Sequence, residues 1–302
     1  MACGPAWPAA SMWCMSWQTT DDVAEFLAAA GEFLRADRAR NTVILTVAET
    51  LRLNSARYAA TAGAGPLLGW WTGASGGVGG AFLHTPPFPV VTTDVPARVA
   101  EDLAVVLAGR PLAGVNADRA VAEAFADAWR EAAGCLVEVH REQRLYRLGE
   151  LTWPDPAPSG AARIATATDT GLLAGWLTAF AREADDMAGD ADQSAAVRDR
   201  LDHDGLTLWE VDGEAVSLAG ITRQVAGMVR VGPVYTPPEL RGHGYASAVT
   251  AAVSKQALAA GAEEVLLYTD LANEVANSIY QRIGYRPVED RVVLAFSQER
   301  GL

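Results

Sequence analysis

The sequence predicts an α+β protein of two lobes, each a mixed, mostly antiparallel sheet flanked by helices. Two observations carry this prediction. The order two helices, antiparallel strands, helix, strand, helix, strand occurs once in each half of the 302-residue chain. A stretch with prolines at positions 154, 156 and 158 separates the halves. We therefore expect a first lobe at 21–150, a linker at 151–162 and a second lobe at 163–302.

The first lobe begins with two helical patterns, at about 21–36 and 40–57. Strand-like LLGWW and a glycine-rich hairpin signal, GASGGVGGAFL, come next. The remaining order is a helix VPARVAEDLAVVLAG, a strand PLAGV, a helix DRAVAEAFADAWREAAG and a strand CLVEVHREQRLYRL. On the last helix Val121, Phe125 and Trp129 recur at helical spacing, which is typical of a face packed in the core.

The second lobe repeats this order. A helix TDTGLLAGWLTAFARE and a second helix near 190–203 come first. Three strands follow, LTLWEVDG, AVSLAGITR and GMVRVGPVY. The lobe ends with a helix GYASAVTAAVSKQALAAG, a strand EEVLLYTD, a helix ANEVANSIYQRIG and a strand near RVVLAFS.

The composition excludes some classes of function. A net charge of −13 argues against unspecific nucleic-acid binding and modestly favours cationic small-molecule partners. The three cysteines and four histidines show no metal-ligand or disulfide spacing, so we predict no metal and a cytoplasmic location. Glycines and prolines interrupt the uncharged run between Arg57 and Asp94, so no membrane span is predicted.

The first twenty residues are a separate problem. MACGPAWPAASMWCMSW has no charged side chain, and prolines interrupt it. It lacks the basic segment of a secretory signal peptide. We expect residues 1–20 to be a disordered extension or a mis-assigned start, with Met15 as the alternative initiator.

The stretch VYTPPELRGHGYAS, residues 234–247, predicts an anion site. A strand runs through a glycine turn into a helix, whose first amides and positive dipole end favour a phosphate. Gly242 and Gly244 carry no Cβ to hold a phosphate away, and Arg241 adds a charged donor. A dinucleotide fingerprint fits poorly, because Ser247 stands where the third glycine is needed. A capped turn without a ligand remains the alternative.

Two motifs resemble one family. RGHGYA, residues 241–246, resembles the pyrophosphate-binding R/Q-x-x-G-x-G/A motif of the GCN5-related N-acetyltransferase (GNAT) superfamily. NEVANSIYQRIGY, residues 273–285, is similar to the family's N-x-x-A-x-x-x-Y-x-x-x-G-[FY] signature. The resemblance covers about 160–297, and the two-lobed layout resembles tandem GNAT proteins with a degenerate N-terminal lobe.

The resemblance implies an acetyl-CoA-dependent N-acetyltransferase that acetylates a small-molecule amine by direct attack in a ternary complex. Acetylation of protein amino groups and non-catalytic acyl-CoA binding in a regulator are the alternatives. The acceptor is expected to be small and possibly cationic, and an oligomer is possible. Acetyl-CoA is the implied cosubstrate.

The resemblance also implies roles for particular residues. Backbone groups of Val234 and Tyr235 would meet the pantetheine arm and the thioester, and the amides of 241–246 would hold the pyrophosphate. Asn273 would contact pantetheine or simply cap its helix, and His243 is expected to be incidental. The implied cofactor-binding set is Val234, Tyr235, Thr236, Arg241, Gly242, His243, Gly244, Tyr245, Ala246, Asn273 and Tyr280.

Catalysis needs an acid and a base. Tyr280 is the predicted acid that protonates the departing thiolate, with packing between helix and sheet as the alternative. The candidates for the general base are Glu183, Glu239 and Asp270, and the sequence does not choose between them; Glu183 is included with Tyr280 in the predicted catalytic set. Glu183 belongs to the acidic segment READDMAGDAD, which either attracts a cationic acceptor or is a solvated loop with Asp190 as a helix cap. Aromatic residues that either wall the acceptor site or pack in the core are Trp176, Phe180 and Trp209.

The first lobe has no equivalent of the anion site at residues 241–246. At the equivalent position stands TTDVPARVAEDL, which contains no glycine. Asp94, Glu101 and Asp102 put negative charge where a diphosphate would lie. We therefore predict one acetyl-CoA per chain, bound by the second lobe.

Overall fold

The computed structural model describes residues 16–53, 65–184 and 193–298. The described strands are β1 Trp17–Thr20, β2 Leu67–Thr72, β3 Val78–His84, β4 Val90–Thr92, β5 Gly114–Ala117, β6 Cys135–Leu148, β7 Ala161–Ile164, β8 Leu206–Val211, β9 Glu214–Ile221, β10 Met228–Tyr235, β11 Glu264–Asp270 and β12 Tyr285–Gln298. The described helices are α1 Val23–Ala36, α2 Thr42–Leu53, α3 Ala97–Val106, α4 Arg119–Ala133, α5 Thr170–Glu183, α6 Ser194–Leu201, α7 Tyr245–Ala259 and α8 Glu274–Arg282.

All twelve described strands form one sheet, in the order β1-β2-β3-β4-β5-β12-β6-β11-β10-β9-β8-β7. Only the β4–β5 and β10–β11 pairs among them are parallel. Successive residues of a strand point to opposite faces, and the core clusters follow that rule. Met228 packs with α1 and α2, whereas Val229 packs with α7. Helices therefore cover both faces, and the predicted α+β class of two flanked, mostly antiparallel halves is confirmed.

The two halves exchange their last strands. β6, the end of the first half, lies between β11 and β12, and β12 lies between β5 and β6. Arg291 on β12 fixes this arrangement from a buried position. Its Nη2 donates to the carbonyl oxygens of Thr92 at 2.8 Å and Asn116 at 2.9 Å. Because of the exchange, the two half-sheets are continuous.

The expectation for the first twenty residues is wrong at 17–20. These residues form β1, which pairs antiparallel with β2. Trp17 is buried, and its indole Nε1 donates to the Val99 carbonyl at 2.9 Å. A buried indole with a satisfied N–H anchors the strand to the core. Residues 1–15, including Met15, lie outside the described residues.

The glycine- and proline-rich run forms sheet, as expected. Its described part contributes β2, β3 and β4. Among the residues that the structure describes, no helix has both the length and the apolar character needed to cross a bilayer.

An ion pair anchors the start of α5, the helix that carries Glu183. Arg163 on β7 donates from Nη1 and Nη2 to the two carboxylate oxygens of Asp169, at 2.8 and 3.1 Å. Asp169 also accepts from the Thr166 backbone N–H at 2.7 Å. These donors lower the pKa of Asp169 to about 2, the side-chain bond from Arg163 contributing most.

This pair predicts a pH-dependent stability. The folded-state pKa of Asp169 lies below the ordinary 3.8, so its contribution is complete above about pH 4 and is lost as pH falls toward 2. We expect Asp169→Asn to lower the free energy of unfolding by about 1–2 kcal/mol at neutral pH. Urea denaturation of both proteins across this range measures the difference. A difference that stays constant down to pH 2 would contradict the assignment.

Candidate active site

A wedge-shaped opening separates β10 from β11. The two strands pair from Met228 to Val231, and the pairing ends there. β11 then stays with β6 as far as Asp270, whereas β10 stays with β9 across an irregularity between Val231 and Val234. Residues 232–235 of β10 therefore have no β11 partner. The opening lies at the carboxyl ends of two parallel strands, where α/β sheets commonly bind ligands.

An exposed glycine turn links β10 to α7 beside this opening. Gly242 and Gly244 both have φ of +82°, a conformation that other residues adopt only with strain. The first intrahelical bond of α7 runs from the Ala248 N–H to the Gly244 carbonyl, at 3.1 Å. The amides at the helix start thus lack intrahelical acceptors. Together with the helix dipole they form an anion cradle.

Two of the predicted site residues, Arg241 and Glu183, bind each other. Arg241 Nη2 lies 2.5 Å from Glu183 Oε2, and its Nε donates to the Thr236 carbonyl at 2.9 Å. The Tyr235 hydroxyl donates to Glu183 Oε1 at 3.2 Å. The guanidinium is therefore held at the end of β10, beside the cradle, and the end of α5 is tied to the same point.

This ion pair constrains the base assignment. Arg241 and Tyr235 each occupy one acceptor position on the Glu183 carboxylate, and a diphosphate in the cradle would compete for the guanidinium. The two other candidate bases have different surroundings. Asp270 Oδ1 accepts from the Ala272 N–H at 2.8 Å, and Glu239 lies exposed in a short 3-10 turn. The assignment of Glu183 as base stays a prediction.

Glu183→Gln tests that prediction. Glutamine keeps one of the two acceptor oxygens, which can still bind Arg241, but it cannot accept a proton at working pH. We expect kcat/KM to fall by about 10²-fold and the acid limb of the pH profile to disappear. Steady-state kinetics from pH 5 to 9 measure both, with Glu239→Gln as the matched control. An unchanged profile with a raised KM for acetyl-CoA would instead make Glu183 a positioning partner of Arg241.

Tyr280 lies on α8, half-buried against the sheet. Its ring meets that of Tyr285 edge to face, with centroids 6.1 Å apart. Its hydroxyl makes no hydrogen bond to any of the described residues, whereas the Tyr285 hydroxyl lies 2.7 Å from Ser254 Oγ. Burial raises the pKa of Tyr280 to about 12. The phenol is therefore protonated at neutral pH, as a proton donor must be.

The first lobe helps to hold α8. Asn273 Oδ1 accepts from the Ala276 N–H at 2.9 Å, so its helix-capping role is present. Its contact with pantetheine stays a prediction. One turn further, Asn277 Oδ1 accepts from the hydroxyl of Tyr146 on β6, at 2.9 Å. The exchanged strand therefore positions the helix that carries Tyr280.

The aromatic candidates separate into different environments. Trp209 is buried, and its Nε1 donates to the Ser159 carbonyl at 2.9 Å, which places it in the core against the linker. Trp176 packs against Tyr235, with centroids 6.2 Å apart. Phe180 lines a cavity. His243 is exposed in the cradle and stacks on Tyr245 at 5.4 Å.

That cavity, of about 520 Å³, lies between α2 of the first half and α5 and α6 of the second. It extends along the sheet to Pro233, within the irregularity of β10. Sequence reasoning missed Arg230, which lines it. A signal existed, because Arg230 is the single charge in the apolar strand pattern GMVRVGPVY. The acidic residues at 185–192, including Asp190, lie outside the described residues.

The first half contains a similar strand pair without a cradle. β4 and β5 are parallel, and α3 follows β4, but Pro96 precedes the helix. Val95 is buried in this connection and packs in the core with Trp17. Arg98 lies within ion-pair distance of Glu101 and Asp102 at the helix start. The connection is filled with side chains, and its surface carries acids.

An amide cradle beside an opening between parallel strands can hold a phosphate or diphosphate group. Residues 168–285 match the acetyltransferase (GNAT) family model. These residues therefore belong to a GNAT-family acetyltransferase domain. No curated protein matches this sequence. In the described residues there is no cluster of three or more histidines, cysteines or acids suited to a metal ion.

Solved structures agree on the fold. A GCN5-related N-acetyltransferase from Sphaerobacter thermophilus is 17% identical with a TM-score of 0.58, covering 93% of this chain and 95% of that one. One from Kribbella flavida is 19% identical with a TM-score of 0.52, covering 73% and 87%. A tandem GNAT protein from the clavulanic acid biosynthesis pathway is 13% identical with a TM-score of 0.51, covering 93% and 98%. The tandem layout of the present chain is shared with the last of these.

Proposed function

We propose that the protein transfers the acetyl group of acetyl-CoA to the amine of a small molecule, by direct attack in a ternary complex. The observation that carries this proposal is the exposed cradle of 241–246 at the edge of the β10–β11 opening. The cradle suits a diphosphate, and the β10–β11 opening suits an extended arm that contains amides. The acceptor then approaches from the cavity that ends at Pro233.

In the proposed complex the cradle amides and the positive end of α7 hold the diphosphate. Arg241 adds a charge-assisted bond once it leaves Glu183. The pantetheine arm runs along 232–235, where it replaces the missing β11 partner. An amide of this segment stabilises the oxyanion of the tetrahedral intermediate, an effect on the order of 3 kcal/mol where such donors have been removed.

The proton balance involves two side chains. Glu183 accepts a proton from the acceptor ammonium, because only the free amine attacks the thioester carbonyl. Attack forms the C–N bond, and collapse of the intermediate breaks the C–S bond. Tyr280 then donates its proton to the departing thiolate, and the resulting phenolate takes up the second proton, which the nitrogen loses as the amide forms. The products are an N-acetylated amine and free coenzyme A.

The cavity favours a small acceptor over a protein. Its volume of about 520 Å³ lies in the usual range of small-molecule sites, and helices of both halves surround it. An acetyltransferase for protein amino groups would need a groove open at both ends. A cytoplasmic location belongs to the same proposal, because the cysteines show no disulfide spacing.

The test is release of free thiol from acetyl-CoA in the presence of a panel of amines. The panel holds amino acids, polyamines, amino sugars and a lysine-containing peptide. We expect thiol release above the hydrolysis background with at least one small amine. Release only with the peptide would favour the protein-directed alternative. Acetyl-CoA binding without turnover of any amine would favour the non-catalytic regulator.

A further inference from the structure

One cation in the cavity has no anionic partner in the part of the chain that the structure describes. Arg230 is mostly buried on β10, and burial lowers the pKa of its guanidinium. Its Nη1 donates to Thr46 Oγ1 at 3.1 Å, and this is its side chain's single hydrogen bond among the described residues. No described carboxylate lies within ion-pair distance of it. A guanidinium has five N–H donors, so most of them have no acceptor among the same residues.

The other charges on the cavity wall are already bound. Glu49 accepts two bonds from Arg52, at 2.7 and 2.8 Å. Arg223 lies 3.4 Å from Asp199 Oδ1. The third arginine of the wall, Arg200, donates to the carbonyls of Ile221 and Gly232 at 3.3 and 2.9 Å.

Among the described residues, the cavity wall therefore has an excess of positive charge. The charged residues in this described part are three arginines and two carboxylates, namely Arg200, Arg223, Arg230, Glu49 and Asp199. Burying an unpaired cation is costly unless something completes its hydrogen bonds. A carboxylate does so in a bidentate geometry that matches the guanidinium fork.

Arg230 lies near the opening in which acetyl transfer would take place. Arg230 precedes by three residues Pro233, which lines the same cavity and lies in the irregularity of β10 beside the opening. A ligand held at Arg230 thus extends along the cavity toward the opening, where the thioester would lie. A distance of three residues along a strand is roughly 10 Å, which a small bifunctional molecule can span.

We propose that the acceptor is a primary amine that also carries a carboxylate, and that Arg230 binds this carboxylate. The inference rests on the proposed acetyl transfer and narrows its substrate class to molecules of the amino-acid type. Polyamines and other acceptors without an anionic group are excluded.

The experiment compares matched acceptors. Thiol release from acetyl-CoA is measured with a panel of amino acids and with the carboxamide and decarboxylated amine of each. We expect kcat/KM for the carboxylates to exceed that for their neutral counterparts by about 10²-fold. Neutral amines that react as well as the carboxylates would overturn the proposal while leaving acetyl transfer intact.

Variants of Arg230 test whether this residue causes the preference for acceptors with a carboxylate. Arg230→Met keeps the apolar stem, and we expect it to lower kcat/KM for the carboxylates about 10²-fold while sparing the carboxamides. Arg230→Lys should restore part of the loss, because it keeps the charge but not the fork. Arg223→Met removes a cavity arginine that is already paired, and it should retain the preference. Thermal melting confirms that each variant folds. A full preference in Arg230→Met would refute the assignment.

A binding measurement tests the carboxylate site independently of acetyl transfer. N-acetylated amino acids carry the carboxylate but no reactive amine, so their binding requires no turnover. Calorimetric titration of such a panel should give binding to the native protein that Arg230→Met weakens at least tenfold. If no amine releases thiol yet this difference holds, acetyl transfer is wrong and the carboxylate site stands. Equal binding, or none, to both proteins overturns the site.

Discussion

Tyr280→Phe should lower kcat by about 10²–10³-fold while leaving the KM for acetyl-CoA within about twofold. The substitution removes one hydroxyl and keeps the ring that packs against Tyr285. Because that hydroxyl has no partner among the described residues, its loss leaves no buried group unpaired. The effect therefore reports on proton donation to the thiolate. Single-turnover measurements of thiol release give the rate of the chemical step directly.

Two further measurements make this test specific. An acetyl thioester with a more acidic thiol needs less protonation as it leaves, so it should recover part of the rate in the variant. Tyr285→Phe is the matched control, since the hydroxyl of Tyr285 is bonded to Ser254 and lies in the core. It should lose stability rather than kcat. Unchanged turnover in Tyr280→Phe would reduce Tyr280 to a packing residue.

Gly244→Val should raise the dissociation constant for acetyl-CoA by at least tenfold. Gly244 has φ of +82°, where a side chain costs about 1–2 kcal/mol and a β-branched one more. In the variant, residue 244 would leave this strained conformation, and the change would turn the cradle amides away from the diphosphate. A Cβ there would also lie against the Pro158 side chain, at 3.8 Å. Calorimetric titration with acetyl-CoA measures the change.

The matched control is Gly213→Val in the turn between β8 and β9. Gly213 has φ of +84°, and a Cβ there would meet no atom within 4 Å. It carries the same backbone strain away from the cradle. It should lower the melting temperature as Gly244→Val does but leave acetyl-CoA binding unchanged. If both variants bind acetyl-CoA like the native protein, the turn does not hold the ligand.

Local patterns predicted the elements well, because periodicity and capping act over short distances. The helix carrying Tyr280 begins at Asn273, whose side chain caps it as the sequence suggested. The exchange of β6 and β12 was not predictable in this way. Alternation along a strand indicates which side chains face the core but not which distant strand is its neighbour. The same limit applies to β1, which pairs with a strand some fifty residues away.

In the candidate site, too, features formed by neighbouring residues were predictable and those formed by distant residues were not. The cradle was predictable because Arg241, Gly242 and Gly244 lie within four residues of one another. The pair of Glu183 with Arg241 joins residues 58 positions apart, and the bond of Arg230 to Thr46 spans 184. Only the folded chain brings those groups together. The lone charge of Arg230 in an apolar strand was visible, but its lack of a carboxylate partner was not.

We expect each chain to bind one acetyl-CoA, in the second lobe. Calorimetric titration of the full chain with acetyl-CoA measures this number, because the stoichiometry counts the sites. We predict one site per chain, weakened by Gly244→Val and unaffected by Asp94→Asn in the first lobe. Two equal sites, or one site that survives Gly244→Val unchanged, would contradict the account.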